Sequence, residues 1–283
     1  MVRPLRYPTG VRPLLVDAAA RRKRIEQRFV EQLDAAGFSE VILPILDYVD
    51  VYEPVTPRDA AKKTYRFVDR DGDLVALRSD FTPMLARALA PSMNAEELPL
   101  RVYYRGDVIR CDRTRLGANR EMFQIGAEII GDNSVDTDVA ILQLASTLAG
   151  NATVIYTDAG LVTALTNASP AIRDALATKR SSRDPLATKL LAGTATLSDV
   201  APLAPDAAIR LVSIAQRLGG AKFVLNLADV DELTSYYTGI RFSVYAAGSN
   251  AKIAQGGRYD NLYERFGAAA PAVGFTFTID DLD

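Results

Sequence analysis

Two adjoining β-rich segments constrain the fold of this chain more than any other feature of its sequence. Residues 101–110 and 121–130 flank a polar, glycine-containing stretch and predict a long antiparallel pair of strands. Further β-rich segments lie at 223–227, 238–245 and 273–279. Because an alanine-rich helical block lies between the early and the late strands, the sequence predicts an α+β fold whose sheet is completed after the helices.

The alanine-rich block also predicts how the chain is organised. It is interrupted at Ser169-Pro170, Asp184-Pro185 and Ala201-Pro202, as expected where short helices end. We expect a small helical insertion at residues 153–221 and a core formed by residues 1–152 and 222–283. A length of 283 residues suits this division, since single hydrophobic cores stop growing near roughly 250–300 residues.

Shorter patterns predict the elements around these strands. Apolar side chains recur every four residues within 14–36, which indicates an amphipathic helix. The apolar run at 41–46 is typical of a strand, and its proline favours an edge or an end. An Asp-Gly turn between two apolar runs predicts a hairpin over 65–77. Helices are expected at 82–89, entered through a Thr-Pro step, and at 134–148, capped by a serine.

The residue counts exclude several kinds of chemistry. The chain has no histidine and one cysteine, Cys111, so it has no Ser-His or Cys-His pair and no histidine-containing or all-cysteine zinc site. Any chemistry must therefore rest on carboxylates, arginine, lysine, tyrosine and backbone groups, and we expect neither a metal nor a cofactor. The 33 basic and 35 acidic residues give a net charge of −2, which argues against a dedicated nucleic-acid binder.

The cysteine count and the apolar runs predict a location. A lone cysteine cannot form an intramolecular disulfide, which fits a reducing compartment. Residues 1–8 lack the apolar stretch of a signal peptide, and no later run approaches the roughly 20 apolar residues that a membrane helix needs. We therefore expect a cytoplasmic protein without a membrane segment.

Five polar residues at the predicted strand ends and faces are candidates for ligand binding. Asp80 and Thr82 lie where a strand passes into a helix and can accept hydrogen bonds from an ammonium group, although Asp80 can equally cap the helix. Gln124 and Glu128 are four residues apart and share one strand face. They can line a polar pocket, with Arg110 meeting a carboxylate or phosphate, or lie on a solvated face.

Two further segments are less specific by themselves. Tyr236-Tyr237-Thr238-Gly239 precedes a predicted strand, where tyrosines usually pack. Gly256-Gly257-Arg258-Tyr259-Asp260 is neither a P-loop nor a Rossmann fingerprint. Its two glycines permit a tight bend or a close approach of the backbone to a ligand.

Taken in their order, these segments resemble the catalytic core of class II histidyl-tRNA synthetases over almost the whole chain. The matching segments are 77–82, the strand pair from Tyr104 to Glu128, 236–239 and 256–260. The resemblance implies an antiparallel sheet flanked by helices and an amino-acid pocket. The candidate histidine-binding residues that it implies are Asp80, Thr82, Arg110, Gln124, Glu128, Tyr236, Tyr237 and Tyr259.

The chain departs from that family at positions which handle anionic ligands. Arg110 matches one family arginine, but Glu232 and Asp281 stand where the family pattern has two others. At 4 Å and an effective dielectric near 20, reversing such a charge replaces about 4 kcal/mol of attraction with similar repulsion. We therefore expect no adenylation and no catalytic residue. Since the sequence ends soon after the last motif, we also expect no anticodon-binding domain.

A synthetase-like core with these departures is similar to the regulatory subunits of ATP phosphoribosyltransferase. That resemblance implies a non-catalytic protein that assembles with a short-form catalytic subunit in the first step of histidine biosynthesis and mediates feedback by histidine. It also implies self-association as a class II dimer. Within the pocket, Glu128 and Tyr237 are expected to contact the imidazole, and Asp80, Thr82 and Gln124 the ammonium group.

Two other functions stay open from the sequence. One is a residual enzyme that adenylates histidine or a related amino acid, which Glu232 and Asp281 oppose. The other is a transfer-RNA-binding module, which the acidic balance opposes. A local basic patch would favour the second, and its members would be Arg101, Arg105, Arg110, Arg113, Arg115 and Arg120.

Overall fold

The computed structural model describes residues 7–51, 64–111, 119–229 and 237–282. Its strands are β1 (Ser39–Glu40), β2 (Leu46–Tyr48), β3 (Arg66–Val68), β4 (Leu74–Leu77), β5 (Leu100–Ile109), β6 (Glu121–Ile130), β7 (Ala152–Asp158), β8 (Phe223–Leu225), β9 (Ile240–Ala246), β10 (Lys252–Arg258) and β11 (Ala272–Thr278). Its α-helices are α1 (Val16–Ala35), α2 (Thr82–Leu89), α3 (Val135–Ala149), α4 (Ala159–Ala168), α5 (Pro170–Thr178), α6 (Pro185–Leu191), α7 (Leu197–Val200) and α8 (Pro205–Leu218). Short 3₁₀ turns lie at Val49–Val51, Ala90–Ser92, Ala95–Glu97, Tyr263–Phe266 and Ile279–Asp281.

One eight-stranded sheet organises the fold, with the order β1-β5-β6-β11-β10-β9-β7-β8. Neighbouring strands are antiparallel except at the two edges, where β1 lies parallel to β5 and β8 parallel to β7. The predicted long pair is confirmed, since β5 and β6 pair from Leu100 opposite Ile130 to Ile109 opposite Glu121. With helices packed on this sheet, the α+β prediction is confirmed as well.

A smaller sheet of three antiparallel strands, in the order β2-β4-β3, contains the predicted hairpin. Gly72 adopts a φ of +93° at its turn, a conformation that favours glycine. The strand predicted over 41–46 is wrong, because β1 ends before it, at Glu40, and β2 begins only at its last residue, Leu46. The carbonyls of Leu43 and Pro44 instead accept hydrogen bonds from the Arg78 guanidinium at 2.9 and 3.1 Å, and the Ile45 carbonyl accepts one from the Arg78 backbone N–H.

The helical block begins later than the sequence indicated. Residues 152–158, most of which were expected in the insertion, form β7 in the large sheet between β9 and β8. This segment contains Thr153, Val154 and Ile155, whose β-branched side chains favour a strand. The helices α4 to α8 then occupy residues 159–218. The division of the chain into a core and an insertion stays a prediction.

Two hydrophobic clusters lie on opposite faces of the large sheet. In β5, Tyr103 packs in one cluster while Val102 and Tyr104 pack in the other, as alternation along a strand requires. The first cluster contains α1 and α3 to α8, and there the Phe29 and Phe277 rings meet edge to face with centroids 5.0 Å apart. The second cluster contains α2. Cross-strand pairing of Glu128 with Val102 places Glu128, and Gln124 four residues before it, on this second face.

Within the described part of the chain, no helix combines the length and apolar character needed to cross a membrane. In the same residues, no group of three or more acidic, cysteine or histidine side chains is arranged to hold a metal ion.

Candidate functional site

A cavity of about 280 Å³ opens on the second face of the large sheet, above β6, β10 and β11. Seven of the eight residues predicted to bind histidine line it, and they are Asp80, Thr82, Arg110, Gln124, Glu128, Tyr237 and Tyr259. The eighth, Tyr236, lies outside the described residues. Side chains that are up to 179 positions apart in the sequence, from Asp80 to Tyr259, are thus brought to one place.

Glu128 forms the buried end of the cavity, with only 1% of its surface exposed. The Tyr259 hydroxyl donates a short hydrogen bond to Glu128 Oε2, and the Tyr104 hydroxyl donates to Oε1 at 3.3 Å. Thr82 Oγ1 lies 3.5 Å from the same Oε1. Burial raises the pKa of Glu128 to about 8, an effect that the hydroxyl hydrogen bonds oppose and the charge of Asp80 assists. Glu128 is therefore mostly protonated at neutral pH.

Glycines on neighbouring strands make room for these side chains. Gly274 is the cross-strand partner of Glu128, and a Cβ atom there would lie 1.5 Å from Glu128 Oε2. Gly126 has the same role for Tyr104, because a Cβ atom would lie 2.3 Å from the Tyr104 hydroxyl oxygen. The Glu128 carboxyl group and the Tyr104 hydroxyl can occupy these places only because positions 274 and 126 lack a side chain.

Asp80 and Arg110 lie near each other at the start of α2, and each bonds to the backbone there. The Thr82 backbone N–H donates to Asp80 Oδ1 at 3.0 Å, while Arg110 Nε donates to the Ser79 carbonyl at 2.8 Å. Burial raises the pKa of Asp80, and the positive charge of Arg110 opposes that rise. Asp80 therefore lines the cavity, as one alternative of the sequence had it. The capping alternative is wrong, because Phe81 occupies the N-cap position and makes no side-chain cap, so the bond from Thr82 is a local turn bond.

Gln124 and Glu128 are not on a solvated face. They are 6% and 1% exposed, and α2 packs on the face of the sheet that they share. The solvated interpretation is therefore wrong for this pair. It failed because the packing of α2 over the sheet is not encoded in the strand itself.

The glycine motif does not form a bend. Gly256 and Gly257 lie inside β10, and a Cβ atom at Gly256 would lie 2.3 Å from the Gly274 carbonyl oxygen. The close approach that the sequence indicated is therefore an approach to neighbouring strands. Since β10 was not predicted, its polar residues Lys252 and Gln255, which also line the cavity, were missed. The alternation of side chains that would have indicated this strand is interrupted by the two glycines.

A buried ion network supports the tyrosines at the side of the cavity. Arg258 is 1% exposed and binds Asp138 Oδ1 at 2.8 Å and Asp260 Oδ1 at 3.0 Å. The Thr238 backbone N–H donates to the Arg258 carbonyl at 2.8 Å, and Asp260 N–H donates to Thr238 Oγ1 at 2.9 Å. Arg210 of α8 binds the second oxygen of Asp138 at 2.6 Å. These bonds fix the two chain segments that carry Tyr237 and Tyr259.

The predicted charge reversals are not part of the described cavity. Glu232 lies outside the described residues. Asp281 is exposed on the 3₁₀ turn after β11 and does not line the cavity. The effect of both positions on anion binding stays a prediction.

The predicted basic patch is weakened by neighbouring acids. Arg105 binds Glu26 at 2.5 Å and Glu40 at 2.7 Å, while Arg110 points into the cavity beside Asp80. Arg113 and Arg115 lie outside the described residues.

Comparisons with known proteins agree with this architecture. The family model described as histidyl-tRNA synthetase matches residues 10–202 and 156–282. A histidine–tRNA ligase subunit from Alicyclobacillus acidocaldarius is 30% identical, with a TM-score of 0.80, and the match covers 100% of this chain and 97% of that one. An ATP phosphoribosyltransferase regulatory subunit/histidyl-tRNA synthetase from Bacillus halodurans shares the fold at 23% identity, with a TM-score of 0.85 and coverage of 100% and 84%. The fold is thus that of a histidyl-tRNA synthetase-like class II core, as predicted.

Curated relatives narrow the assignment. The ATP phosphoribosyltransferase regulatory subunit of Moorella thermoacetica is 30% identical over 99% of this chain and 81% of its own length. The protein of the same name from Anaeromyxobacter sp. strain Fw109-5 is 32% identical over 98% of this chain and 91% of its own length. The chain belongs to the family of ATP phosphoribosyltransferase regulatory subunits.

Proposed function

We propose that this chain is a non-catalytic subunit that binds a short-form ATP phosphoribosyltransferase catalytic subunit and mediates its feedback inhibition by histidine. The observation that carries the proposal is the cavity, where seven residues implied by the resemblance to an amino-acid pocket converge. The names of the relatives support the regulatory part. Histidine, the product of the pathway to which such subunits contribute, is then the natural effector.

The chemistry of the cavity suits histidine. A protonated Glu128 can donate to one imidazole nitrogen, and after ionisation the same carboxylate can accept from an imidazolium. Tyr237 lies beside it on the cavity wall. The carboxylate of Asp80, with the Thr82 hydroxyl and the Gln124 amide oxygen, supplies acceptors for an α-ammonium group. Each part of the ligand thus meets a group of complementary charge or hydrogen-bonding capacity.

A non-catalytic role follows from the predicted departures. Adenylation concentrates negative charge on phosphate oxygens, and arginines stabilise it in the synthetase family that this chain resembles. At these two positions the chain supplies no cation: Glu232 would oppose that charge, and Asp281, which lies outside the cavity, leaves it without a partner. The pocket is therefore proposed to be retained for binding while the reaction is lost.

Regulation requires that histidine distinguish two arrangements of the complex. Histidine shifts the equilibrium only if it binds the inhibited arrangement more tightly than the active one. The network from Arg258 through Asp138 to Arg210 connects the cavity wall to α8 and gives one physical route for such a difference.

The test is reconstitution with a short-form catalytic subunit from the same genome. We expect the two proteins to copurify, and we expect phosphoribosyl-ATP formation to rise in the complex and to fall when histidine is added. Absence of association and of any rate change would refute the regulatory role. Histidine-dependent pyrophosphate exchange by the chain alone would favour the adenylating enzyme, and steeply salt-dependent binding of transfer RNA would favour the RNA-binding module.

The pocket is tested separately by titrating histidine calorimetrically into the isolated chain and its variants. Glu128→Ala and Tyr237→Phe are expected to weaken histidine binding. Tyr48→Phe is the matched control, because Tyr48 is exposed on β2 of the smaller sheet and does not line the cavity. Equal histidine affinity in the unsubstituted chain and the three variants would show that histidine does not bind in this cavity.

A further inference from the structure

Lys252 is directed to the cavity by an irregularity in β10. Lys252 and Gln255 are three residues apart, and an odd separation on a regular strand places side chains on opposite faces. Lys252 pairs with Tyr245 and Ala254 with Val244, so two residues of β10 span one of β9. This β-bulge restores both side chains to one face, and Lys252 Nζ donates to Gln255 Oε1 at 3.0 Å. Both residues line the cavity.

The charge of Lys252 is balanced differently from that of Arg110, the other cation lining the cavity in the described residues. Arg110 acts on the carboxylate of Asp80, whose pKa it lowers against the effect of burial. Among the described residues, Lys252 bonds to the neutral amide of Gln255, and no ion pair in that part of the chain includes it. An anionic group entering the cavity would therefore meet an available ammonium group.

The strand register gives the position of that ammonium group along the cavity. Glu128 is opposite Gly274, whereas Gln124 is opposite Thr278, four residues further along β11. At a rise of 3.3 Å per residue the two levels are about 13 Å apart. Lys252 lies beyond the Ala254–Phe277 pair, at the Thr278 end. The head group of an amino acid whose side chain reaches Glu128 would thus lie toward Lys252.

We propose that Lys252, with Gln255, binds the α-carboxylate of the amino-acid ligand, and so selects ligands that carry a carboxylate next to the ammonium group. This inference rests on the proposed histidine site. Lys252 supplies a cation for the ligand carboxylate from β10. The position that the resemblance expected to meet this carboxylate holds an acid, Glu232. The bulge is the structural device, because a regular strand would turn Lys252 away.

The experiment compares L-histidine with L-histidinol, in which a hydroxymethyl group replaces the carboxylate. Calorimetric titrations use the full chain and its Lys252→Met variant, which keeps the length of the side chain and removes its charge. We expect the substitution to raise the Kd of histidine at least tenfold and that of histidinol less than twofold. Lys252→Arg is expected to keep most of the preference for histidine.

Lys222→Met controls for the loss of one positive charge, since Lys222 is exposed, bonds to the Gly150 carbonyl and lies outside the cavity. It is expected to change neither Kd. If Lys252→Met leaves histidine binding unchanged, or weakens both ligands equally, the carboxylate assignment is overturned while the histidine site stands. If the unsubstituted chain binds neither ligand, the proposed histidine site fails and the role of Lys252 fails with it.

Discussion

Replacing Glu128 by glutamine is expected to change how folding stability depends on pH. Burial raises the pKa of Glu128 from 4.5 to about 8 in the folded chain. The unfolded chain therefore releases this proton first, so the carboxyl group favours folding fully below pH 4.5, and that contribution is lost as pH rises toward 8. Between pH 5.5 and 8.5 the two pKa values correspond to about 3 kcal/mol of lost stability. Glutamine, which does not titrate, removes this loss.

The assay is urea unfolding of both proteins at pH 5.5 and pH 8.5. The free energy of unfolding of the unsubstituted chain, relative to Glu128→Gln, is expected to be about 3 kcal/mol lower at pH 8.5 than at pH 5.5. Groups common to both proteins cancel in this difference. Glu264→Gln, at an exposed glutamate outside the cavity, controls for the loss of one acidic residue. Parallel pH profiles for the unsubstituted chain and Glu128→Gln would refute the assignment of a buried, protonated carboxyl group.

Three other substitutions test the packing of the cavity and its support. Gly274→Ala is expected to destabilise the fold by at least about 2 kcal/mol, because its Cβ would overlap the Glu128 carboxyl group, and an unchanged urea midpoint would contradict this. Asp138→Ala should cost about 3–5 kcal/mol, because the buried Arg258 guanidinium loses the more deeply buried of its two carboxylate partners, and a much smaller loss in thermal unfolding would contradict this. Tyr259→Phe removes a hydrogen bond that lowers the pKa of Glu128, so that pKa should rise further. NMR titration of the labelled carboxyl carbon measures it, and a downward shift would be inconsistent with the geometry.

Much of the fold was predictable because its elements have strong local patterns. Helix α2 has the bounds that the Thr-Pro step indicated, and β5 and β6 differ from the predicted bounds by at most one residue. The missed strand β10 shows the limit of such patterns, because Gly256 and Gly257 carry no side chain with which to show alternation. Strand β7 was also missed, because its short run of β-branched residues directly precedes the alanine-rich segment and was assigned to it. Both strands are specified by the neighbours that they pair with in the sheet.

The candidate residues were predictable from their order along the chain, whereas their environment was not. The four-residue spacing of Gln124 and Glu128 placed them on one strand face, but it left open whether that face was solvated. Burial beneath α2, and the glycine at position 274, decided this. Both come from segments distant in sequence, so no local pattern contains them.

The sequence by itself determined most of the helices and the long strand pair, that the sheet is completed after a helical block, and which polar side chains share a strand face. These properties depend on local periodicity and turn chemistry, which act over a few residues. The tertiary structure alone decided the protonation of Glu128 and the direction of Lys252. The first depends on desolvation by distant segments. The second depends on a bulge defined only by pairing with β9.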